Sequence, residues 1–450
     1  MQMKRMSAMR SSAGWRCFEG EADSGGTMSG PWMAAMLMFA LAVLVMLAPL
    51  LAAGQQDDQK STARPERHIP IMTWPGPDAS LLNAEAFRLV AEAGFSVNMS
   101  FLGSRERNLK ALDLARAAGL RLMIQDDRVS QLVDSTLPLH VLTHVVTDYK
   151  DHPEFFGYCI TDEPNASRFE RLGLIVRRLR ELDPAHPAYI NLFPTYANEQ
   201  QLGTPTYEEH VARYLDTVRP PFLSFDHYPV TRSGLRPDYY RNLEIVRRMA
   251  MEHGLDLWAF TLVTPHAVYP SPTIGHIRFQ LWSDIAYGAR ALQYFTFVTP
   301  GGTDFDWGSG LVDKQGRPGP AYPLAREANA EVRQVEGLIL KWKSVGVYHS
   351  EPVPEGARPL AGDGPVVSAS GAPLVVGIFR DGAARYVVFV NRDYENARTA
   401  VVRFSRDVNE AREVAKNAGP PVRLSWPADQ DDRPSVLSFE PGAARVFRIK

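Results

Sequence analysis

Eight short apolar runs, each followed by a stretch of helical spacing, occupy residues 68 to 343. The first is HIPIMTW (68–74). Behind it, AEAFRLVAEAGF (84–95) carries apolar residues three and four apart and closes on Gly94. The pattern recurs with SVNMSF (96–101), RLMIQDD (121–127), FFGYCITDEP (155–164), AYINLF (188–193), PFLSFDHYP (221–229), DLWAFTLV (256–263) and ALQYFTF (291–297). Runs that alternate read as strands, and runs with apolar residues three and four apart read as helices. Their regular succession calls for parallel strands joined by helical crossovers. Eight such units predict an α/β fold, a (β/α)8 TIM barrel. A doubly wound open sheet competes with it, but no Gly-rich phosphate loop follows the first strand.

The pattern stops near residue 349. PLVVGIFRD, ARYVVFVNRD, RTAVVRFS, VRLSW and ARVFRIK are short strands between turn signals, with one weak helix-like run near Val408 to Lys416. They predict a C-terminal β-sandwich domain over 349–450. The barrel is expected at 68–348, after a polar linker at 55–67. Residues 1–54 read as a signal peptide or membrane anchor. Lys4, Arg5, Arg10 and Arg16 precede an apolar run from Met33 to Leu51, and Ala52, Ala53 and Gly54 follow. The expectation is an exported protein, periplasmic or extracellular, held at the membrane only if residues 33–51 stay uncleaved.

A formal net charge of −2 gives no basic excess for nucleic acid. Cys17 and Cys159 are the two cysteines, and no Cys/His cluster has ligand spacing, so neither a metal nor a cofactor is expected.

In a barrel of this kind chemistry belongs where strands end and βα loops begin. GYCITDEPN (157–165) ends an apolar strand with adjacent acids. Strict alternation from Gly157 places Glu163 in the lumen and Asp162 one step off. The same count along PFLSFDHYP points Asp226 inward and His227 away. Asn98, Asp126, Asn191 and Tyr294 lie near other strand ends. Trp74, Tyr228, Tyr294 and Trp307 could stack on a sugar ring. Each has a plainer reading too: Glu163 as a turn residue, Asp226 and Asp126 as structural acceptors. Carboxylates, amides and aromatics around one cavity suit a carbohydrate, and glycoside hydrolysis needs two carboxylates, one a general acid.

From Ile69 to Tyr348 the chain resembles the family 42-like glycoside hydrolases of the large retaining clan. The likeness is clearest in GYCITDEPN, LSFDHYP, FQLWSDIAYGARALQYFTF and GLVDKQGRPGPAY. The resemblance implies a glycosidase, β-galactosidase-like in type, with Glu163 as acid/base and Asp162 where the clan has Asn. It also implies a nucleophilic glutamate ending the seventh strand, where LDLWAFTLVTPH has no carboxylate. Asp226 is then the leading candidate for the second carboxylate, set roughly 6.5–9.5 Å from Glu163 if the reaction inverts, and a loop acid such as Asp304 or Asp306 reaching in is the alternative. The competing expectation is a non-catalytic carbohydrate-binding or scaffold protein.

Overall fold

The structure is a computed structural model that describes residues 68–415, 421–427 and 433–450. The expected signal or anchor at 1–54 and the linker at 55–67 lie outside the described residues.

Eight parallel strands close into a barrel: β1 (Ile71–Thr73), β2 (Val97–Gly103), β3 (Arg121–Asp126), β4 (Phe155–Asp162), β5 (Ala188–Leu192), β6 (Leu223–Phe225), β7 (Leu257–Leu262) and β8 (Ala289–Phe295). Each strand pairs with its neighbours in sequence, and β8 returns to β1 with Ile71 opposite Leu292. Local signals set the crossovers. Ser104 caps the helix Arg105–Ala118, and Gly119, at φ 70°, ends it where a side chain would be strained.

The barrel wall has two faces. Outward, Ile71, Leu122, Ile124, Ile190 and Leu292 join a core with helix residues such as Phe87, Leu172 and Ile175. Inward, Met72, Met99, Met123, Tyr189, Phe222 and Trp258 fill the lumen. Phe222 and Trp258 stack at 3.9 Å near the strand starts, so the lower lumen is packed solid.

The sandwich strands are β9 (Lys343–His349), β10 (Val366–Ser370), β11 (Leu374–Asp381), β12 (Ala384–Asn391), β13 (Arg398–Phe404), β14 (Glu410–Ala415), β15 (Arg423–Ser425), β16 (Arg433–Phe439) and β17 (Ala444–Ile449). One sheet runs β9-β11-β12-β17-β14-β15 and the other β10-β13-β16. Two expectations change. The boundary at 348 cuts through β9, because Lys343–His349 already pairs with β11. The helix-like run near Val408 is strand β14, held between β17 and β15.

The sandwich packs on the helix Ile274–Ala286, whose residues are buried from Gly275 onward. A Cβ on Gly275 would meet the Tyr394 carbonyl oxygen at 2.1 Å, so this close backbone approach requires glycine. The helix shows no strong polar side because barrel and sandwich cover it from both directions.

Candidate active site

The end of β4 departs from simple alternation. Cys159 lies opposite Tyr189 in register, but Thr161, not Ile160, lies opposite Ile190. This bulge inserts one residue and reverses which side chains face inward. Asp162 therefore lies opposite Asn191 and enters the lumen. Glu163 follows at φ 43°, in the left-handed region, where a residue with a side chain is strained by about 1–2 kcal/mol. Its amide N–H donates to the Asn191 carbonyl at 2.9 Å, which holds the turn. The turn also brings the Glu163 carboxyl to Asp226. Alternation alone puts Asp162 and Glu163 on opposite sides, whereas here both carboxyls come near Asp226.

On β6, Ser224 and Asp226 face the lumen while Leu223 and Phe225 face the outer core. His227 points away, packed between Tyr196 and Tyr239. A hydrogen-bond chain rises through the interior. Gln293 Nε2 donates to Ser224 Oγ at 2.9 Å, and Ser224 Oγ donates to Asn191 Oδ1 at 2.9 Å. The Asn191 amide is thereby oriented. Its Nδ2 donates to Asp162 Oδ1 at 3.1 Å and to Asp226 Oδ1 at 2.8 Å.

Three carboxyls thus share one small volume. Burial pushes Glu163 well above the ordinary carboxyl range, and the charges of Asp226 and Asp162 push it further. Burial likewise pushes Asp226 up to about 6, although hydrogen bonds from Asn191, Tyr228 and Glu163 oppose it. Asp162 is pushed up to about 7 by surrounding protein and by Asp226, with the Asn191 amide opposing. Solvent reaches Asp162 through the barrel mouth, which tempers that rise. Among the described residues, no ion pair joins any of the three to a cation. Burial and like charge together therefore favour a proton on Glu163.

Aromatic rings wall the mouth. Trp74 meets Phe101 at 5.2 Å and Phe295 at 5.9 Å, and Tyr228 meets Phe295 at 5.7 Å and Tyr269 at 5.8 Å. From the loop after β8, Trp307 packs on His266 at 4.6 Å and on Phe295 at 6.1 Å. The buried Trp74 Nε1–H has no partner among the described residues. β7 ends differently from β4. Its lumen-facing residues are Trp258, Phe260 and Leu262, and Thr264 and His266 follow.

Three expected site residues lie elsewhere. Asn98 faces the outside of the barrel wall, where its Oδ1 accepts from Thr73 Oγ1 at 2.7 Å and its Nδ2 donates to Ser100. Asp126 is buried and fully engaged by Arg128 and by Tyr149 Oη at 2.6 Å, and it caps the helix Asp127–Val133. Tyr294 also faces outward, donating to Asn329 Oδ1 at 2.7 Å and packing on Phe95. On β8 it is Ala291, Gln293 and Phe295 that face inward. Phe295, Phe101 and Tyr269 join the rim without having been expected there, and counting β8 inward from Gln293 would have found Phe295. A separate groove of about 740 Å³ lies above β5, lined by Thr195, Asn198, Tyr207, Asp238 and Arg241 among others, and includes none of the three clustered acids.

No protein-family model matches the chain, and no curated protein matches its sequence. Solved structures match in fold. A catalytic mutant of a GH42 β-galactosidase from G. stearothermophilus aligns over 85% of this chain and 98% of its own, at 9% identity and TM-score 0.58. A β-galactosidase from Bacillus circulans sp. alkalophilus aligns over 86% of this chain and 100% of its own, at 8% identity and TM-score 0.58. A β-galactosidase from the psychrophilic Marinomonas ef1 is covered over 60% of its length, at 13% identity and TM-score 0.45. The chain, a TIM barrel followed by a β-sandwich domain, shares its fold with the first two of these.

Proposed function

We propose that the protein is a glycoside hydrolase in which Glu163 is the general acid and Asp226 the second carboxylate of its pair. One observation carries this reading: Asp162, Glu163 and Asp226 gather at the mouth of a TIM barrel walled by aromatic rings. A general acid must be protonated at working pH and lie beside a cavity that admits the glycosidic oxygen. Burial, with the charges of Asp226 and Asp162, supports the first condition, and the solvent exposure of Asp162 and Glu163 supports the second. The aromatic walls offer faces for a pyranose, and Asp162, Asn191 and Tyr228 offer groups for its hydroxyls.

Asp226 shares the Asn191 amide with Asp162, and its charge helps hold the proton on Glu163. Carboxylate pairs roughly 5–5.5 Å apart retain the anomeric configuration and pairs roughly 6.5–9.5 Å apart invert it, so the product anomer reports the role of Asp226. The family's β-galactoside preference is one candidate specificity and enters the test as such. The proposal includes an exported location, supported by the apolar run Met33–Leu51; fractionation of cells making a tagged full chain tests it.

The experiment for activity is a screen against a glycan panel, with wild type and Glu163→Gln side by side and product anomers followed by NMR. Turnover that survives the substitution would refute the assignment. A second reading, a carbohydrate-binding barrel without turnover, draws on the absence of an acid at the end of β7. Glycan binding with no hydrolysis by wild type would establish it.

A further inference from the structure

We propose that the glycan carries a carboxylate, as a uronic acid residue does, and that Arg236 binds that carboxylate at the barrel mouth. This rests on the glycosidase reading and adds a substrate class to it. After β6 the chain makes a short hairpin, Val230–Thr231 against Gly234–Leu235, and Arg236 follows it. Its Nη2 donates to Tyr269 Oη at 3.1 Å. Among the described residues that phenol is the one acceptor this guanidinium has: Nε is buried without a partner, and Nη1 has none. Asp238, two residues on, is engaged elsewhere, accepting from Thr195 Oγ1 and facing His227 Nε2 at 3.4 Å. Asp304, exposed in the loop after β8, accepts from Trp307 Nε1 at 3.4 Å. Arginine stays charged at every working pH and offers five N–H donors, so a cation left with one neutral acceptor calls for an anion.

Arg236 stands next to the clustered acids. Its guanidinium lies over the Tyr196 ring at 4.3 Å and 5.6 Å from the Tyr269 ring. Tyr269 meets Tyr228, a wall of the mouth, at 5.8 Å. Burial raises the phenols of Tyr196 and Tyr228, and the charge of Asp226 raises both further, so these rings border Asp226 as well. Tyr196 and Arg236 are partly exposed, so a solute can reach the cation.

The fold holds this arginine in place. The Arg232 amide N–H donates to the Val268 carbonyl at 2.9 Å, and the Arg232 guanidinium donates to the Ala267 carbonyl. These bonds tie the hairpin to the loop after β7, where Ala267 sits at φ 45°, a left-handed conformation that strains a residue with a side chain. Arg232 thus binds backbone, whereas Arg236 keeps free donors. A sugar hydroxyl would take one of them. A carboxylate takes two with its paired oxygens and supplies the counter-charge as well, the match for which a guanidinium fork is suited. The same cation offsets the repulsion that an acidic sugar meets from Asp162 and Asp226.

The test uses the full chain on oligosaccharides that contain galacturonate or glucuronate, and on the same oligosaccharides after their carboxyls have been reduced to alcohols. The acidic form should be favoured by about 10–100-fold in kcat/KM, the worth of a charge-assisted pair. Arg236→Gln should remove most of that ratio, chiefly through KM, and Arg236→Lys, which keeps the charge without the fork, should keep part of it. The comparison of acidic with reduced substrates is made on wild type, so it stands even if an Arg236 variant fails to fold. Reduced substrates turned over as fast as acidic ones, with turnover still lost in Glu163→Gln, would overturn this inference and leave the general acid in place. A preference for the acidic form that survives in folded Arg236→Gln would also overturn it. Neither binding nor turnover of the acidic oligosaccharides, beside turnover of neutral glycosides, would overturn it too; no binding and no turnover of any glycan would remove both readings.

Discussion

The ends of β4, β5 and β6 carry Asp162, Glu163, Asn191 and Asp226, while the ends of β7, β8 and β1, on the same face of the same barrel, carry Leu262, Phe295 and Trp74. The backbone geometry treats these positions alike, since each strand delivers a side chain to the upper lumen. The two halves differ in how they meet the cost of burial. The apolar half removes hydrocarbon from water. The acidic half gathers like charges and tolerates them through a retained proton, the Asn191 amide and the Tyr228 phenol. A fold alone would not ask for that arrangement, so it points to chemistry on the acidic side.

The largest effect should come from the acidic half. Glu163→Gln keeps the shape of the side chain and removes its transferable proton. On the glycosides that wild type hydrolyses, kcat should fall by about 10²–10⁴-fold, the usual worth of a positioned general acid. Steady-state kinetics measure this, and an unaltered melting curve would show that the fold is intact.

Moving an acid to the other half probes the comparison directly. Leu262→Glu places a carboxyl against Trp74 and Phe260, with no amide or phenol prepared for it. An unpartnered buried charge should lower stability by about 3–5 kcal/mol, measured by urea unfolding near neutral pH. A cost as small as that of a surface change would show the two halves to be less different than their residues suggest.

The third effect depends on pH. Asp226 titrates at about 6 in the folded protein against an ordinary 3.8. Between those values the folded state holds more protons than the unfolded one, so stability falls as pH rises through that window. Asp226→Asn removes this titration and the repulsion that goes with it. Its stability relative to wild type should improve from pH 4 to pH 7 by about 2 kcal/mol, allowing for the shared proton. Melting curves across that range test the sign: an advantage that shrinks toward pH 7 would mean that Asp226 is not held up by its neighbours.

The barrel was legible because strand and helix spacings alternate without interruption over its whole length. Asp226 was legible because β6 keeps regular alternation. Asp162 was misplaced for one physical reason, the bulge between Cys159 and Thr161, which no residue type in ITDEP announces. Tyr294 and Gln293 mislead in a related way. The larger, ring-bearing residue faces the helices, and the polar amide faces the lumen because Ser224 waits there. Asp126 is captured by Arg128, two residues on, a pairing that competes with any ligand. Sequence counting thus finds the strands and fails where hydrogen bonding between distant residues selects the inward face.

That hydrogen bonding gives the smallest and most selective prediction. Ser224 touches none of the three acids, yet it accepts from Gln293 and donates to Asn191. Ser224→Ala removes both bonds and should cost about 1 kcal/mol of stability, the net worth of one buried hydrogen bond with some relaxation. Without the Ser224 donor, only the two acids themselves orient the Asn191 amide, so its Nδ2–H is held less firmly toward them. The acid limb of the pH–rate profile should therefore move upward in Ser224→Ala, because carboxyls that lose a donor hold their protons to higher pH. The apolar half has no such dependence: trimming Phe101 to Ala at the mouth should change KM and leave the profile where it is. If both substitutions leave the profile unmoved, the amide chain does not tune the acids, and their shared proton alone accounts for the site.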